Sequence, residues 1–295
     1  MCLILFALNE HPDYPLVIAA NRDEFLARPS APAGWWSPAE GTGALGSAEE
    51  VAPASILGGR DLVAGGTWLA ASPSKGVAAV TNVREPGKTR LDALSRGGLV
   101  TGMLDHPEGT AAYLSTIDGS SYNGYNAVAF DGRKACFSSN RSERPGETSL
   151  LSRGFHGLSN ATLDTAWPKV TAGTADLIVA TKGLQGDRPR LDPLFELLAS
   201  RQPAPDDQLP ETGVGLEKER KLSPPFIRME TYGTRSSAVI LVRSDGLCVF
   251  SERTHPVRGA THEDRTFSFQ MELDTWDRAK TKSVLRSDGR TTVRP

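Results

Sequence analysis

Two apolar runs near the start constrain the fold more than anything else in this chain. "CLILFAL" (residues 2–8) and "PLVIAAN" (residues 15–21) are apolar almost throughout, and the polar segment "NEHPDY" joins them. A half-solvated strand alternates apolar and polar positions, whereas an unbroken run is covered on both faces. The pair therefore predicts a hairpin buried above and below. Pairing the runs end to end sets residue 8 opposite 15 and residue 2 opposite about 21. That register brings Cys2 beside "NRDE" (21–24), an amide, a guanidinium and two carboxylates in a row. Polar groups abutting a buried strand cost free energy unless each finds a partner.

The same patterning recurs downstream. "GGTWLAAS" with "GVAAVTN" predicts a hairpin, as do "YNAVAFDGRKACFSSN" about Asp131-Gly132 and "SSAVILVRSDGLCVFSER" about Ser244-Asp245-Gly246. "GFHGLSN" and "RTFSFQMEL" read as single strands. Helices are expected in "TRLDALSRGGLVTGMLDH", "PEGTAAYLSTI", "TLDTAWPKVTAGTADLIVATK" and "LDPLFELLAS". Residues 31–57, rich in Ala, Pro, Gly and Ser around "GWW", read as a long loop, and so does the Pro-rich, charged stretch 202–225. Doubly buried strands in hairpins, with helices inserted between them, predict an α+β fold. The arrangement expected is a four-layer αββα sandwich of two antiparallel sheets. No internal repeat or linker divides the chain, so residues 1–275 are expected to form one domain and 276–295 a mobile basic tail.

Charge and cysteine content exclude several function classes. With 33 basic and 35 acidic residues the net charge is −2, which gives no footprint for nucleic acid or a membrane surface. No apolar run reaches the length of a membrane span, and the start lacks the basic segment of a secretory signal. Three cysteines, Cys2, Cys136 and Cys248, are too few and too odd for a disulfide framework and point to a reducing compartment, the cytoplasm. The sequons at Asn140 and Asn160 then read as chance. Histidines 11, 106, 156, 255 and 262 form no metal-ligand spacing, so no metal site is expected. "GGLVTG" lacks both the Walker lysine and the Rossmann spacing, and no G-x-S-x-G elbow is present.

Cys2 is the residue with distinctive chemistry. A small residue at position 2 permits removal of Met1, which would leave the thiol beside its own α-amine. An amine of pKa near ~8 can take the proton of a thiol near ~8.5 and return it to a leaving group. Against this stands the plain reading of Cys2 as the first buried residue of a strand. Asn21, Asn82 and Asn160 each end an apolar run. Asparagine amides can face a developing oxyanion, though asparagine is also a common turn residue. Arg235 leads into a buried run and needs an acceptor, which Asp23 could supply, so the pair is expected to orient the terminus. Arg84 is expected at the rim, and Trp68 with Trp35 or Trp36 at the walls of a cleft lidded by 202–225. Arg22 and Glu24 are expected to form ion pairs.

Together "MCLILF", "AANRDEFLARPS", "GGTWLA", "GVAAVTNVRE", "YNGYN", "GLSNATLDTAWPKV" and "YGTRSSAVILV" resemble, in order, the NRDE or Transport and Golgi organisation 2 family. The resemblance runs to about residue 245, and 31–57 and the end match least. It implies kinship with N-terminal nucleophile hydrolases, whose αββα fold agrees with the patterning. In the cysteine-type branch, choloylglycine hydrolases and penicillin V acylases, the nucleophile matches Cys2. The aspartate that follows matches Asp23, the oxyanion asparagines match Asn82 and Asn160, and the late strand-opening arginine matches Arg235. The arginine preceding that aspartate stands at a different spacing from Arg22. The resemblance thus implies a cysteine amidohydrolase or acyltransferase for a small amide or acyl substrate, needing no cofactor. Asn21, Arg22, Trp68 and Arg84 would contact substrate. The alternative is a carrier of haem or of an acyl-lipid or acyl-CoA in the setting of secretion and Golgi organisation.

Overall fold

The first hairpin forms as the apolar runs require. In the computed structural model, strand β1 (Cys2–Leu8) pairs antiparallel with β2 (Leu16–Phe25), with Leu8 opposite Leu16 and Cys2 opposite Arg22. The register is one residue from the sequence expectation, and Cys2 still lies against the NRDE segment. All seven residues of β1 are buried, as are the first eight of β2. The structure describes residues 2–37, 55–132, 134–186, 188–256 and 261–271. The expected basic tail lies outside them.

Two sheets stack. The first has the order β10-β1-β2-β11-β12-β13, built from β10 (Gly154–Leu158), β11 (Tyr232–Val242), β12 (Leu247–Thr254) and β13 (Glu263–Gln270) with the first hairpin. The second runs β3-β4-β5-β6-β7-β8-β9. Its strands are β3 (Ser30–Trp36), β4 (Ile56–Asp61), β5 (Leu69–Ser72), β6 (Gly76–Asn82), β7 (Tyr125–Phe130), β8 (Ala135–Ser139) and β9 (Thr148–Leu150). All described pairings are antiparallel.

Alternation along each strand makes three apolar layers. Ile4, Phe6, Ile18 and Ile240 face Leu57, Leu69, Ala79 and Val128 between the sheets. On the other side of β1 and β2, Leu3, Leu5, Val17 and Ala19 pack under α3 (Pro168–Lys182) and α4 (Asp192–Leu198). On the far face of the second sheet, Ala78, Val80 and Ala127 pack under α1 (Gly97–Asp105) and α2 (Thr110–Thr116). The architecture is the α+β, four-layer αββα sandwich. Every central strand is apolar on both faces because each sheet has a neighbour above and below.

Two stretches read as loops contain elements. Residues 30–36 form β3, where Trp36 donates its indole N–H to the Gly58 carbonyl at 3.1 Å and Trp35 packs edge-on against Phe269. Alternation is weak there because β3 is an edge strand, bulged between Ala31 and Gly34. Within 202–225, α5 (Leu216–Leu222) forms after Gly213 and Gly215, both at positive φ. Among the described residues no helix is long and apolar enough to cross a membrane.

Candidate active site

The head of β1 is where the polar residues converge. Cys2 is 7% exposed and lies directly across from Arg22. Its carbonyl accepts a hydrogen bond from Ser159 Oγ at 3.1 Å, and Ser159 Oγ is also 3.3 Å from Asn160 Oδ1. Asn160 Nδ2 donates to the Asn82 carbonyl at 2.9 Å, and the Arg84 amide donates to the Asn160 carbonyl at 2.8 Å. One chain of contacts therefore links Cys2, Ser159, Asn160, Asn82 and Arg84. The strand ends at Asn82 and Asn160 come together because β6 and the segment after β10 finish at the same edge of the sandwich. The Asn160 side-chain amide is thereby held across the end of β6.

Burial pushes the Cys2 thiol above its ordinary range, while Arg22 and a hydrogen bond from the Asp23 backbone act the other way. Asp23, 1% exposed, follows on β2. Burial also raises its carboxyl, opposed by Lys169 and by the hydrogen bond from Thr234.

The expected Asp23–Arg235 pair is not what the structure holds. Asp23 Oδ1 accepts from Thr234 Oγ1 at 2.7 Å, and the Asp23 carbonyl accepts from the Tyr232 hydroxyl at 2.9 Å. Arg235 Nη1 instead donates to the carbonyls of Phe25, Leu26 and Arg28 at 3.2, 3.1 and 2.9 Å. The cause is a bulge in β11 between Thr234 and Ser236, which keeps Thr234 opposite Asp23 and takes Arg235 out of register. Arg235 thus braces the segment leaving β2.

Arg84 is not at a rim. Its side chain is 7% exposed, with Nη1 2.6 Å from Glu219 Oε2 of α5 and the guanidinium 4.8 Å over the Trp167 ring. Asn21 is fully buried and its amide points to the helical side, donating to the carbonyls of Leu198 and Pro225 at 2.9 Å each and accepting from Ser237 Oγ at 2.6 Å. Its geometry is that of a bolt between sheet and helix α4, because alternation turns it away from Cys2. Trp68 is inside the layer between the sheets, in the same apolar cluster as Cys2. Arg22 does pair with Glu24, at 3.6 Å, and with Asp61 at 3.8 Å. Cys136 and Cys248 are buried in β8 and β12, and burial raises both thiols. Both sequon asparagines, Asn140 and Asn160, are buried as well. Among the described residues no group of His, Cys, Asp and Glu could hold a metal ion.

Several residues of the site carried no sequence signal. Thr234, Ser159 and Tyr232 are ordinary strand residues whose role is visible only in register. Glu219 belongs to a stretch read as loop. Lys169, the second residue of α3, is 3% exposed. A lysine in the first turn of a helix normally reads as solvated.

Known proteins resemble this chain over most of its length. The family model described as Transport and Golgi organisation 2 matches residues 1–256. The Transport and Golgi organization protein 2 homolog of Bos taurus is 35% identical, covering 90% of this chain and 99% of that protein. The Homo sapiens homolog is 33% identical over 92% of this chain and 100% of its own. Drosophila melanogaster Transport and Golgi organization protein 2 is 28% identical over 90% and 99%. Among solved structures, the Caenorhabditis elegans ortholog of N-acylethanolamine-hydrolyzing acid amidase superposes with a TM-score of 0.48 at 10% identity, over 81% of this chain and 92% of that one. On the match of the family model and the full-length relatives, the chain belongs to the Transport and Golgi organisation 2 family.

Proposed function

We propose that the chain is a cysteine amidohydrolase or acyltransferase of the N-terminal nucleophile type, acting in the cytoplasm on a small amide or acyl substrate without a cofactor. The observation that supports this most is the convergence at Cys2: Asp23 on the paired strand, with Asn160 and Asn82 linked through Ser159. With Met1 removed, the α-amine of Cys2 takes the thiol proton. The sulfur then attacks the acyl carbon, a C–S bond forms, and the charge on oxygen meets the Asn82 amide and the second N–H of Asn160. The ammonium returns the proton to the departing amine or thiol as the bond to it breaks. Water, or an acceptor nucleophile, then releases the acyl group. Burial keeps the thiol protonated until that base acts. Asp23 steadies the ammonium.

Intact mass of the untagged protein is expected to show loss of Met1. Proteins extended at the N-terminus and at the C-terminus should be compared on N-acyl amides and acyl thioesters. Turnover is expected only from the C-terminally extended form and not from Cys2→Ala. Retained Met1, or turnover that survives both changes, defeats this assignment of the nucleophile.

A second reading, a carrier of haem or an acyl-lipid, has one observation in its favour. Phe25, Leu62 and Val63 are 60%, 57% and 62% exposed, and their segments meet where the Leu62 amide donates to the Pro29 carbonyl at 3.2 Å. This apolar group lies at the NRDE end of β2 and suits an apolar ligand. Binding of haem or acyl-CoA by both extended forms, with no turnover by either, would select this reading.

A further inference from the structure

Asn126 is a buried polar side chain that the reading above leaves unused. It ends the "YNGYN" motif and is the second residue of β7. It is fully buried, and Val128 and Phe130, on the same face of the strand, belong to the apolar layer between the sheets. An amide therefore stands where packing alone would place an apolar group. Both N–H bonds of that amide are engaged. Nδ2 donates to Thr81 Oγ1 on the paired strand β6 at 3.1 Å and to the Ala161 carbonyl at 2.7 Å. A carbonyl only accepts, so the nitrogen must face Ala161, and Oδ1 is left buried without a hydrogen-bond partner among the described residues. A buried acceptor left unpaired needs a reason.

The reason lies in what Ala161 belongs to. Residues 159–164 follow β10 of the first sheet and carry Ser159 and Asn160. The two ends of this segment are held by the first sheet. Ser159 Oγ donates to the Cys2 carbonyl at 3.1 Å, Asp164 Oδ1 accepts from the Gly157 amide at 2.8 Å, and the Asp164 amide donates to the Gly157 carbonyl at 2.8 Å. Between these ends, Asn160 and Ala161 meet the second sheet. Asn82 and Arg84, which bond to Asn160, stand at and just past the end of β6. Asn126 is instead paired on both sides, with Thr81 of β6 and Ser139 of β8. Its grip on the Ala161 carbonyl is rooted in the interior of a sheet.

We infer that Asn126 is a positioning residue for Asn160: its amide fixes the Ala161 carbonyl, and with it the direction of the Asn160 side chain. An oxyanion donor is effective only when it is held in place before the reaction, and a displacement of ~1 Å can cost ~10²-fold in rate. The inference rests on the reading of Cys2 as nucleophile and Asn160 as oxyanion donor. It goes beyond that reading in naming the residue that aims the donor. Asn126 acts through the backbone next to Asn160 and not on the reacting atoms.

Acylation by p-nitrophenyl acetate tests it on the C-terminally extended protein, with the rate of Cys2→Ala subtracted. In the burst, the Cys2 sulfur forms a bond to the acetyl carbon, the thiol proton passes to the α-amine, and p-nitrophenolate leaves with the electrons of the broken C–O bond. Asn126→Ala is expected to slow this step about tenfold and Asn160→Ala on the order of 10²-fold. The double variant should be no slower than Asn160→Ala alone, because Asn126 acts only through Asn160. Asn126→Ser keeps a hydroxyl near Thr81 but is too short for Ala161, so it should behave as Asn126→Ala does; it serves where alanine costs the fold, as circular dichroism would show. A second measurement needs no turnover. Exchange of the Arg84 amide, which donates to the Asn160 carbonyl at 2.8 Å, should quicken about tenfold in either Asn126 variant while the amides of β7 keep their protection. With a burst in the wild type, additive losses in the double variant, an unslowed Asn126 variant or unchanged Arg84 exchange overturns the positioning role alone. A wild type with no burst above Cys2→Ala overturns the nucleophile reading and the positioning role together.

Discussion

Two side chains, Lys169 and Thr234, act on the buried Asp23 carboxyl. Burial lowers the Lys169 ammonium to about 8 from an ordinary 10.5, with Asp23, Cys2 and Glu219 opposing the shift and Arg84 adding to it. The folded state therefore holds fewer protons than the unfolded chain between those two values, and stability contributed by this group rises with pH in that window. Below pH 8 the full cost of burial is present. Wild type should gain on the order of 3 kcal/mol relative to Lys169→Met between pH 8 and 10.5, at 1.36 kcal/mol per unit, read from urea unfolding of both proteins. A constant difference between them would show that Lys169 is not titrating there. Thr234 is the second case. Its hydroxyl donates to Asp23 and also accepts from the Ile227 amide at 2.9 Å. Thr234→Val leaves both partners short of a bond and is expected to cost about 1–3 kcal/mol. It should also raise the Asp23 carboxyl further, which carboxylate NMR would show.

At the level of elements, a buried pair ties α5 to the site. Arg84 and Glu219 are 7% and 4% exposed at the side chain, with the Trp167 ring beneath the guanidinium. Removing either partner strands a charge, so Arg84→Met and Glu219→Gln should each cost about 3–5 kcal/mol, and the double variant clearly less than their sum. A double-mutant cycle on unfolding free energies measures the coupling, and additive losses would contradict the pair. This pair also shows why part of the site escaped the sequence. Strands such as β1, β2, β6 and β11 were legible because their apolar runs are short and bounded by turn residues, too short for buried helices. Their pairing placed Cys2 against NRDE to within one residue. Helix α5 was not, since "LEKERKL" is charged throughout apart from its ends and follows two glycines. The partner of Asp23 was misread for a different reason: a one-residue bulge in β11 exchanges Thr234 for Arg235, and nothing in "YGTRSS" marks it. Lys169 has no local signature at all, because its burial comes from α5 and the strand ends meeting over it.

For the molecule as a whole, stability rests on the spacing of four layers. That spacing is close where the GGTW segment meets the first helix. A methyl group on Gly66 would lie 2.4 Å from the Gly97 carbonyl carbon, backbone against backbone. Gly66→Ala must push α1 off the second sheet and is expected to cost about 2–3 kcal/mol, seen as a lower urea midpoint. An unchanged midpoint would mean that the layers slide freely. The long sides of the sandwich are tied in a different way. On one side, β3 meets the other sheet through the Ala33 amide donating to Glu252 at 2.6 Å, the Arg265 guanidinium donating to the Ala33 carbonyl at 3.4 Å, and Trp35 on Phe269. On the other, only residues 151–153 separate β9 from β10, so the chain itself crosses between the sheets. A sandwich laced along both flanks can admit a guest only through its ends. A molecule bound at Cys2 travels parallel to the strands, and its footprint in amide exchange should fall on 22–26, 82–85, 159–161 and 232–235, leaving the outer strands at both flanks as they were.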